Sequence, residues 1–305
     1  MLNCPVLFIA FKRPKETKKI LKIILNQKPS KLYIFQDGPK KEFSREDLIN
    51  YQKTHEAIQS LSNKKNITNF FFKKNIGPIS IGDKILRRIF KREKKIIVIE
   101  DDTVPKKTFF SFCDILLRKY AKEKKICQIS GCNLVNGTNQ KLKSIKEDSY
   151  FFSKYPHLWG WATWKDRWIG QYDLKMRDWE KNKNIFFNLK TLNTNEKKYF
   201  KHIFGRTLKG KEPWDMPWLY LNLLKSRLTI VPKVNQIRNI GYKENPTGKS
   251  AKKFRNLTYS NINFPLKFPK KIKQNLEYDE FLHKSFYNRK NIFIRFFEKV
   301  KKKIR

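Results

Sequence analysis

The stretch Lys94–Phe110, KKIIVIEDDTVPKKTFF, constrains this chain more than any other. Ile96, Ile97, Val98 and Ile99 form a β-branched run bounded by charge, the pattern of a strand buried in a parallel sheet. Glu100, Asp101 and Asp102 follow at its carboxyl end, where open α/β sheets place their ligands. Three consecutive anions repel one another and need a cation or a hydrogen-bonding turn. They stand in a chain with 69 Lys and Arg against 27 Asp and Glu, a formal net charge of +42. Acids are scarce here, so their clustering suggests a hard-cation site of oxygen ligands, suited to Mn²⁺ or Mg²⁺. An acidic turn capping the next helix is the plainer reading of the same residues.

The flanking chain alternates between strand and helix patterns. Cys4–Phe11 reads as a strand broken by Lys12-Arg13-Pro14, Lys15–Leu25 as a helix, and Lys31–Gln36 as a second strand ending on Asp37-Gly38-Pro39. Glu42–Ser60 reads as a helix and Asn66–Lys73 as a third strand. The turn Asn75-Ile76-Gly77-Pro78 and a helix through Ile85, Leu86 and Ile89 follow. Beyond the acidic strand, Phe109–Tyr120 is helical and Ile126–Ser130 is another strand. The expected fold class is α/β, a doubly wound mixed sheet with helices on both faces.

After Asp148 the texture changes. Tyr150–Trp168 carries Trp159, Trp161, Trp164 and Trp168 around Gly160, a spacing that suits either a buried face or a loop wall for stacking on sugar rings. Lys181–Gly210 is helical and lysine-rich, Glu212–Trp218 brings back Trp and acid, and Ser226–Val231 reads as a last strand. From Lys243 to Ile272 the prolines and glycines indicate irregular chain, and Asn291–Arg305 forms a basic amphipathic stripe. Asp215, between Trp214 and Trp218, is either a carboxyl raised toward general-base duty or a helix N-terminal acid. Asp37 either closes a turn or accepts from a base or ribose hydroxyl.

A 39% hydrophobic and 14% aromatic composition excludes wholesale disorder. The scattered lysines make every surface basic, so no specific nucleic acid is expected. Cys4, Cys113, Cys127 and Cys132 form no paired framework and are expected to be buried and reduced. With neither a secretory signal nor a membrane span in the pattern, the expected location is cytoplasmic. The tail also suits a peripheral position on an anionic inner-membrane surface.

The ordered segments PVLFIAFKRP, YIFQDGPK, FFKKNIGP, VIEDDTVPKKTFFSFC, QISGCN, YFFSKYPHLWGWATW and VNQIRNIGY resemble the GT-A glycosyltransferases. The likeness is to bacterial family-2-like nucleotide-diphospho-sugar transferases related to N-acetylglucosaminyltransferase I, and it runs from Pro5 to about Tyr242. It implies a Rossmann-like catalytic domain over 1–242, with a nucleotide-sugar-binding half (1–135) and an acceptor half (136–242). An irregular extension (243–290) and the tail helix (291–305) would follow. It further implies inverting transfer from a UDP-linked sugar to a hydroxyl of a glycan or lipid-linked glycan, in surface-polysaccharide synthesis. Asp102 resembles the last acid of a DXD-type motif that holds the metal against the diphosphate. Glu100, Asp101, Arg13, Asp37, Asn75 and Gly77 would complete the donor site, and His157, Trp159, Trp161 and Trp214 the acceptor side. Asp215 matches the position of the base. Relatives carry Trp-Asp-Asp-Trp where this chain has Trp214-Asp215-Met216-Pro217-Trp218, so Glu212 stands beside it as a second candidate. A metal-dependent nucleotidyltransferase is the alternative, although Phe11–Lys15 lacks the glycines of a phosphate loop. A basic nucleic-acid-binding protein is a further one, which leaves the acids at strand ends unexplained.

Overall fold

The computed structural model describes residues 2–62, 65–138, 142–145, 147–241 and 257–287. The tail helix expected over 291–305 lies outside the described residues, as does all of the chain between Gly241 and Leu257.

Among the described residues, ten strands and nine helices follow in chain order. They are β1 (Val6–Ala10), α1 (Pro14–Asn26), β2 (Leu32–Gln36), α2 (Arg45–Leu61), β3 (Ile67–Phe71), α3 (Gly77–Phe90), β4 (Lys95–Glu100), β5 (Thr103–Pro105) and α4 (Lys107–Lys119). The chain continues through β6 (Ile126–Ser130), β7 (Tyr150–Ser153), β8 (Trp161–Trp164), α5 (Lys165–Trp168), α6 (Trp179–Phe187) and α7 (Thr194–Leu208). It ends with α8 (Asp215–Leu224), β9 (Leu228–Pro232), β10 (Ile237–Asn239) and α9 (Leu276–Phe286).

Eight strands form one sheet in the order β3-β2-β1-β4-β8-β6-β9-β7, and β10 pairs with β5 in a two-stranded ribbon. The β3-β2-β1-β4 block is parallel, as its near-continuous apolar runs require. β8 enters antiparallel between β4 and β6. Alternation along each strand divides the core. Val6, Phe8, Ala10, Ile97 and Ile99 pack on the side of α1 and α4, whereas Leu7, Ile96 and Val98 pack with Ile85, Leu86 and Ile89 of α3. The α/β class with helices on both faces is what the periodicity predicts.

The tryptophans of the aromatic segment do not share one buried face. Trp161 and Trp164 lie three apart in a strand, so they point to opposite faces and enter different halves of the core. The four cysteines are buried and unpaired. Among the described residues no helix is long and apolar enough to cross a membrane.

Within the segment expected to be irregular, α9 is a defined helix capped by Asn275, whose side chain accepts from the Tyr278 N–H. It is docked on β7 through Asp279, which accepts from the Ser153 hydroxyl and the Lys154 N–H. Its 68%-exposed first residue, Leu276, and its many polar positions hide the stripe of Tyr278 and Leu282 that sequence reading missed. Asp279→Ala should destabilise the fold by about 3 kcal/mol, because it strands two buried donors. Urea unfolding measures the loss, and a change below a few tenths would show that α9 docks without this contact.

Candidate functional site

The carboxyl ends of β1, β2 and β4 open into a cavity of about 240 Å³. Register sets its floor: Ile9 lies opposite Glu100, and the Asp101 N–H donates to the Ile9 carbonyl at 2.9 Å. The acids therefore leave the sheet beside the β1–α1 turn. Arg13, Asp37, Lys40, Asn75 and Trp214 line the rest.

The three acids are not equivalent. Asp101 is buried; its Oδ2 accepts from the Phe11 N–H at 2.8 Å and its Oδ1 from Arg13 Nη1 at 2.6 Å. Burial pushes its carboxyl up to about 6 although Arg13 opposes the shift. Asp101 thus fastens the β1–α1 turn to the end of β4. Glu100 faces the cavity, and desolvation together with the charges of Asp102, Asp101 and Asp215 drives its carboxyl well above the ordinary range. Asp102 is held by the ribbon: its carbonyl accepts from the Ile240 N–H at 2.8 Å, and Gly241 passes against its carboxylate. A Cβ at Gly241 would meet Asp102 Oδ2 at 2.6 Å.

Asp37 lines the cavity, and its oxygens are already occupied. Oδ1 accepts from the Gly38 and Ile76 N–H groups, and Oδ2 from the Gly77 N–H and Asn75 Nδ2, at 2.9–3.0 Å. Four donors fill both lone pairs of each oxygen. Asp37 is a clasp that holds the Asn75–Gly77 turn against β2, which corrects the expectation that it reads the nucleotide directly. Gly77 is required there, because its φ of +71° lies in the left-handed region. Asn75 serves the same clasp and also donates to the Gly38 carbonyl at 2.7 Å.

Asp215 opens α8, next to the cavity-lining Trp214. Its Oδ1 is fully buried without a hydrogen-bond partner, and burial pushes the carboxyl up to about 6, partly offset by its own N–H and that of Met216. Its charge is felt at Glu100, although Asp215 itself is not among the residues that line the cavity. Glu212 is instead ion-paired with Arg206 at the end of α7.

The tryptophans divide between wall and core. Trp214 is assigned by sequence to the acceptor side, but the structure places it in the same cavity as Arg13, Asn75 and the acids. Trp161 is wholly buried and packs on Trp168, Trp214 and Trp218 with ring centroids 5.7–6.3 Å apart. No face of it is open to a sugar, which corrects its assignment to the acceptor. Trp159 is half-buried against the core. His157 has a buried, unpartnered Nε2, and desolvation lowers its imidazole to about 4, so it is neutral at physiological pH.

Close packing fixes Trp214. A Cβ on Gly82 of α3 would lie 2.5 Å from its ring. Gly82→Ala should therefore destabilise the protein by about 2 kcal/mol through overpacking and shift the indole in the cavity wall. Thermal unfolding and tryptophan fluorescence read both effects; an unperturbed variant would show that the wall yields. Lys40, an exposed lysine in a lysine-rich chain, gave no sequence signal yet lines the cavity.

Among the described residues no group of three His, Cys, Asp or Glu side chains converges to form a metal cage. The donor set still fits a hard divalent cation held by one or two carboxylates plus ligand phosphates, with Glu100 and Asp102 facing the opening and Arg13 engaged by Asp101.

No protein-family model matches the chain, and no curated protein matches it. It is similar to solved structures at low identity. One is 4-diphosphocytidyl-2C-methyl-D-erythritol synthase from Anaerococcus prevotii, at 11% identity and a TM-score of 0.34, covering 66% of this chain and 83% of that one. Another is UDP-glucose pyrophosphorylase in complex with UDP-glucose, at 13% identity and 0.28, covering 51% of this chain and 63% of that one. A third is an apo UDP-glucose pyrophosphorylase, at 14% and 0.32, covering 54% and 77%.

Proposed function

We propose that this protein is a metal-dependent glycosyltransferase that moves a sugar from a nucleotide-diphosphate donor to an acceptor hydroxyl with inversion. The observation that carries the reading is the acidic corner. Glu100 and Asp102 border a cavity at the carboxyl edge of the parallel strands, with Asp215 and its unpartnered carboxyl oxygen within electrostatic reach. Glu100 and Asp102 would hold Mn²⁺ or Mg²⁺, which supplies charge neutralisation for a departing nucleoside diphosphate. Lys40 supplies a cation for the donor phosphates, Arg13 braces Asp101, and Trp214 forms an apolar wall for the donor. Asp215 accepts the proton of the attacking hydroxyl, for which a carboxyl near 6 is suited at neutral pH. His157 and Trp159 border the acceptor. The acceptor class we assign is a glycan or lipid-linked glycan, with the basic tail, outside the described residues, on an anionic cytoplasmic membrane surface.

Nucleotidyl transfer is the second reading, favoured by the names of the similar structures, which include a pyrophosphorylase with bound UDP-glucose. That chemistry needs free N–H groups after β1 to cradle a triphosphate. Here the Phe11 N–H is spent on Asp101 and Pro14 has none. Product analysis separates the two. With a nucleotide sugar and Mn²⁺, glycosyl transfer or its hydrolytic side reaction releases nucleoside diphosphate. Pyrophosphate release from a nucleoside triphosphate and a sugar phosphate, without nucleoside diphosphate in the first assay, would overturn the proposal.

A further inference from the structure

A second concave surface lies away from the donor cavity, a groove of about 720 Å³ between the edge strand β3 and helix α3. One wall is uncharged and comes from the sheet: Tyr33, Thr68 and Phe70. The opposite wall carries Lys84, Arg87, Arg88, Lys91 and Arg92. Spacings of three and four residues place Lys84, Arg87 and Arg88 on one helical face, and Lys91 and Arg92 follow in the turn after it, where like charges repel. A helix C-terminus favours cations in its last turn, but that does not account for a row of them facing a groove.

The local carboxylates offset only part of the row, and one of them, Asp83, itself lines the groove. Asp83 accepts from Arg87 Nε at 2.6 Å, and Glu93 is engaged by the Tyr33 hydroxyl. Arg87 also donates to the Tyr172 carbonyl at 2.7 Å, so it is committed to the fold. Arg88 lies over the Phe70 ring, 4.7 Å from its centroid, which orients its guanidinium along the groove. Among the described residues Lys84, Arg88, Lys91 and Arg92 have no carboxylate partner.

We infer that this groove is a binding site for a ligand carrying several phosphate groups in a row. Guanidinium and ammonium groups both match phosphate oxygens, Arg through a planar fork. Lys84 to Arg88 rises about 6 Å along the helix, and Lys91 and Arg92 extend the row beyond its end, so it is longer than a single phosphate. Arg88 lies about 16 Å along the α3 axis from Gly77, whose turn borders the donor cavity. The site is therefore separate from the donor cavity and stands whichever transfer reaction that cavity performs. The phosphates can come from a soluble polyphosphate chain or from a file of lipid headgroups.

The test compares two triple variants that remove equal charge. One is Arg88→Gln with Lys91→Gln and Arg92→Gln. The other is Lys198→Gln with Lys201→Gln and Lys209→Gln, exposed lysines on and just after α7, where a second basic hollow lies. Calorimetry with tripolyphosphate in EDTA, where the acidic corner repels anions, reads the soluble arm. Co-sedimentation with phosphatidylcholine vesicles, with and without phosphatidylglycerol, reads the lipid arm. In the arm that represents the source, the groove variant should bind about tenfold more weakly or worse, since charged contacts are each strong ones. The α7 variant should change little. Equal losses in both variants would reduce the groove to diffuse surface charge and overturn the inference, as would absence of binding in both arms. All these positions are exposed, and circular dichroism verifies that each variant is folded.

Discussion

Asp215→Asn is expected to bind a nucleotide-sugar donor as the parent protein does while its kcat falls by roughly a thousandfold, the range of a lost general base. The substitution keeps the shape at the start of α8 and the contacts of Trp214, and removes only the proton-accepting oxygen. The parent's kcat should decline as pH falls through about 6, because the base must be ionised and burial holds its carboxyl there. That acid limb should vanish in the variant. Stability should move the opposite way. A carboxyl raised in the folded state favours folding at pH below the ordinary carboxylate range, and that contribution is lost as pH rises through about 6. Asp215→Asn should therefore be more stable than the parent at pH 8 and closer to it at pH 4, read by thermal unfolding. Undiminished turnover in the variant would move the base elsewhere. Glu212 is a poor substitute while Arg206 holds it.

Asp102→Ala should remove the Mn²⁺-dependent thermal shift produced by donor and lower transfer by roughly a thousandfold, equivalent to several kcal/mol of lost charge stabilisation. Asp102 is singled out because it borders the cavity and meets the ribbon at Gly241, whereas its neighbours differ in kind. Asp101 is spent on Phe11 and Arg13, and Glu100 is raised by desolvation and by the surrounding acids. Relieving that repulsion with a cation should ionise Glu100, so Mn²⁺ binding to the parent should release a proton. Titrations in two buffers of different ionisation enthalpy measure the release. A normal Mn²⁺ response in Asp102→Ala would place the cation away from this corner. Gly241→Ala offers an independent probe. Its Cβ would press on the Asp102 carboxylate, so donor affinity should fall although no acid is removed.

The contrast between Asp37 and Asp215 shows what local sequence can resolve. Asp-Gly-Pro after a strand reads as a turn, and the carboxylate does close one, but its partners at Ile76 and Gly77 are forty residues away. Asp215 carries a weaker local signal, yet its environment leaves one oxygen buried and unpaired. The tryptophans followed the same division. Their number signalled a dense aromatic core, but only tertiary packing revealed that Trp161 is sealed and Trp214 lines the cavity. Helix α9 went unread because its buried stripe is short and its docking rests on one buried acid, Asp279.

The sequence by itself determined the α/β class, the parallel block around β4 and the placement of acids at its carboxyl end. Those follow from short-range rules, the two-residue alternation of strands and the burial of β-branched runs. Only the tertiary structure decided which acid is braced, which is a clasp and which keeps an unpartnered oxygen. Hydrogen-bond partners and desolvation set those roles, and both come from residues distant in the chain: Phe11 and Arg13 for Asp101, the Asn75–Gly77 turn for Asp37, and the returning β10 ribbon for Asp102.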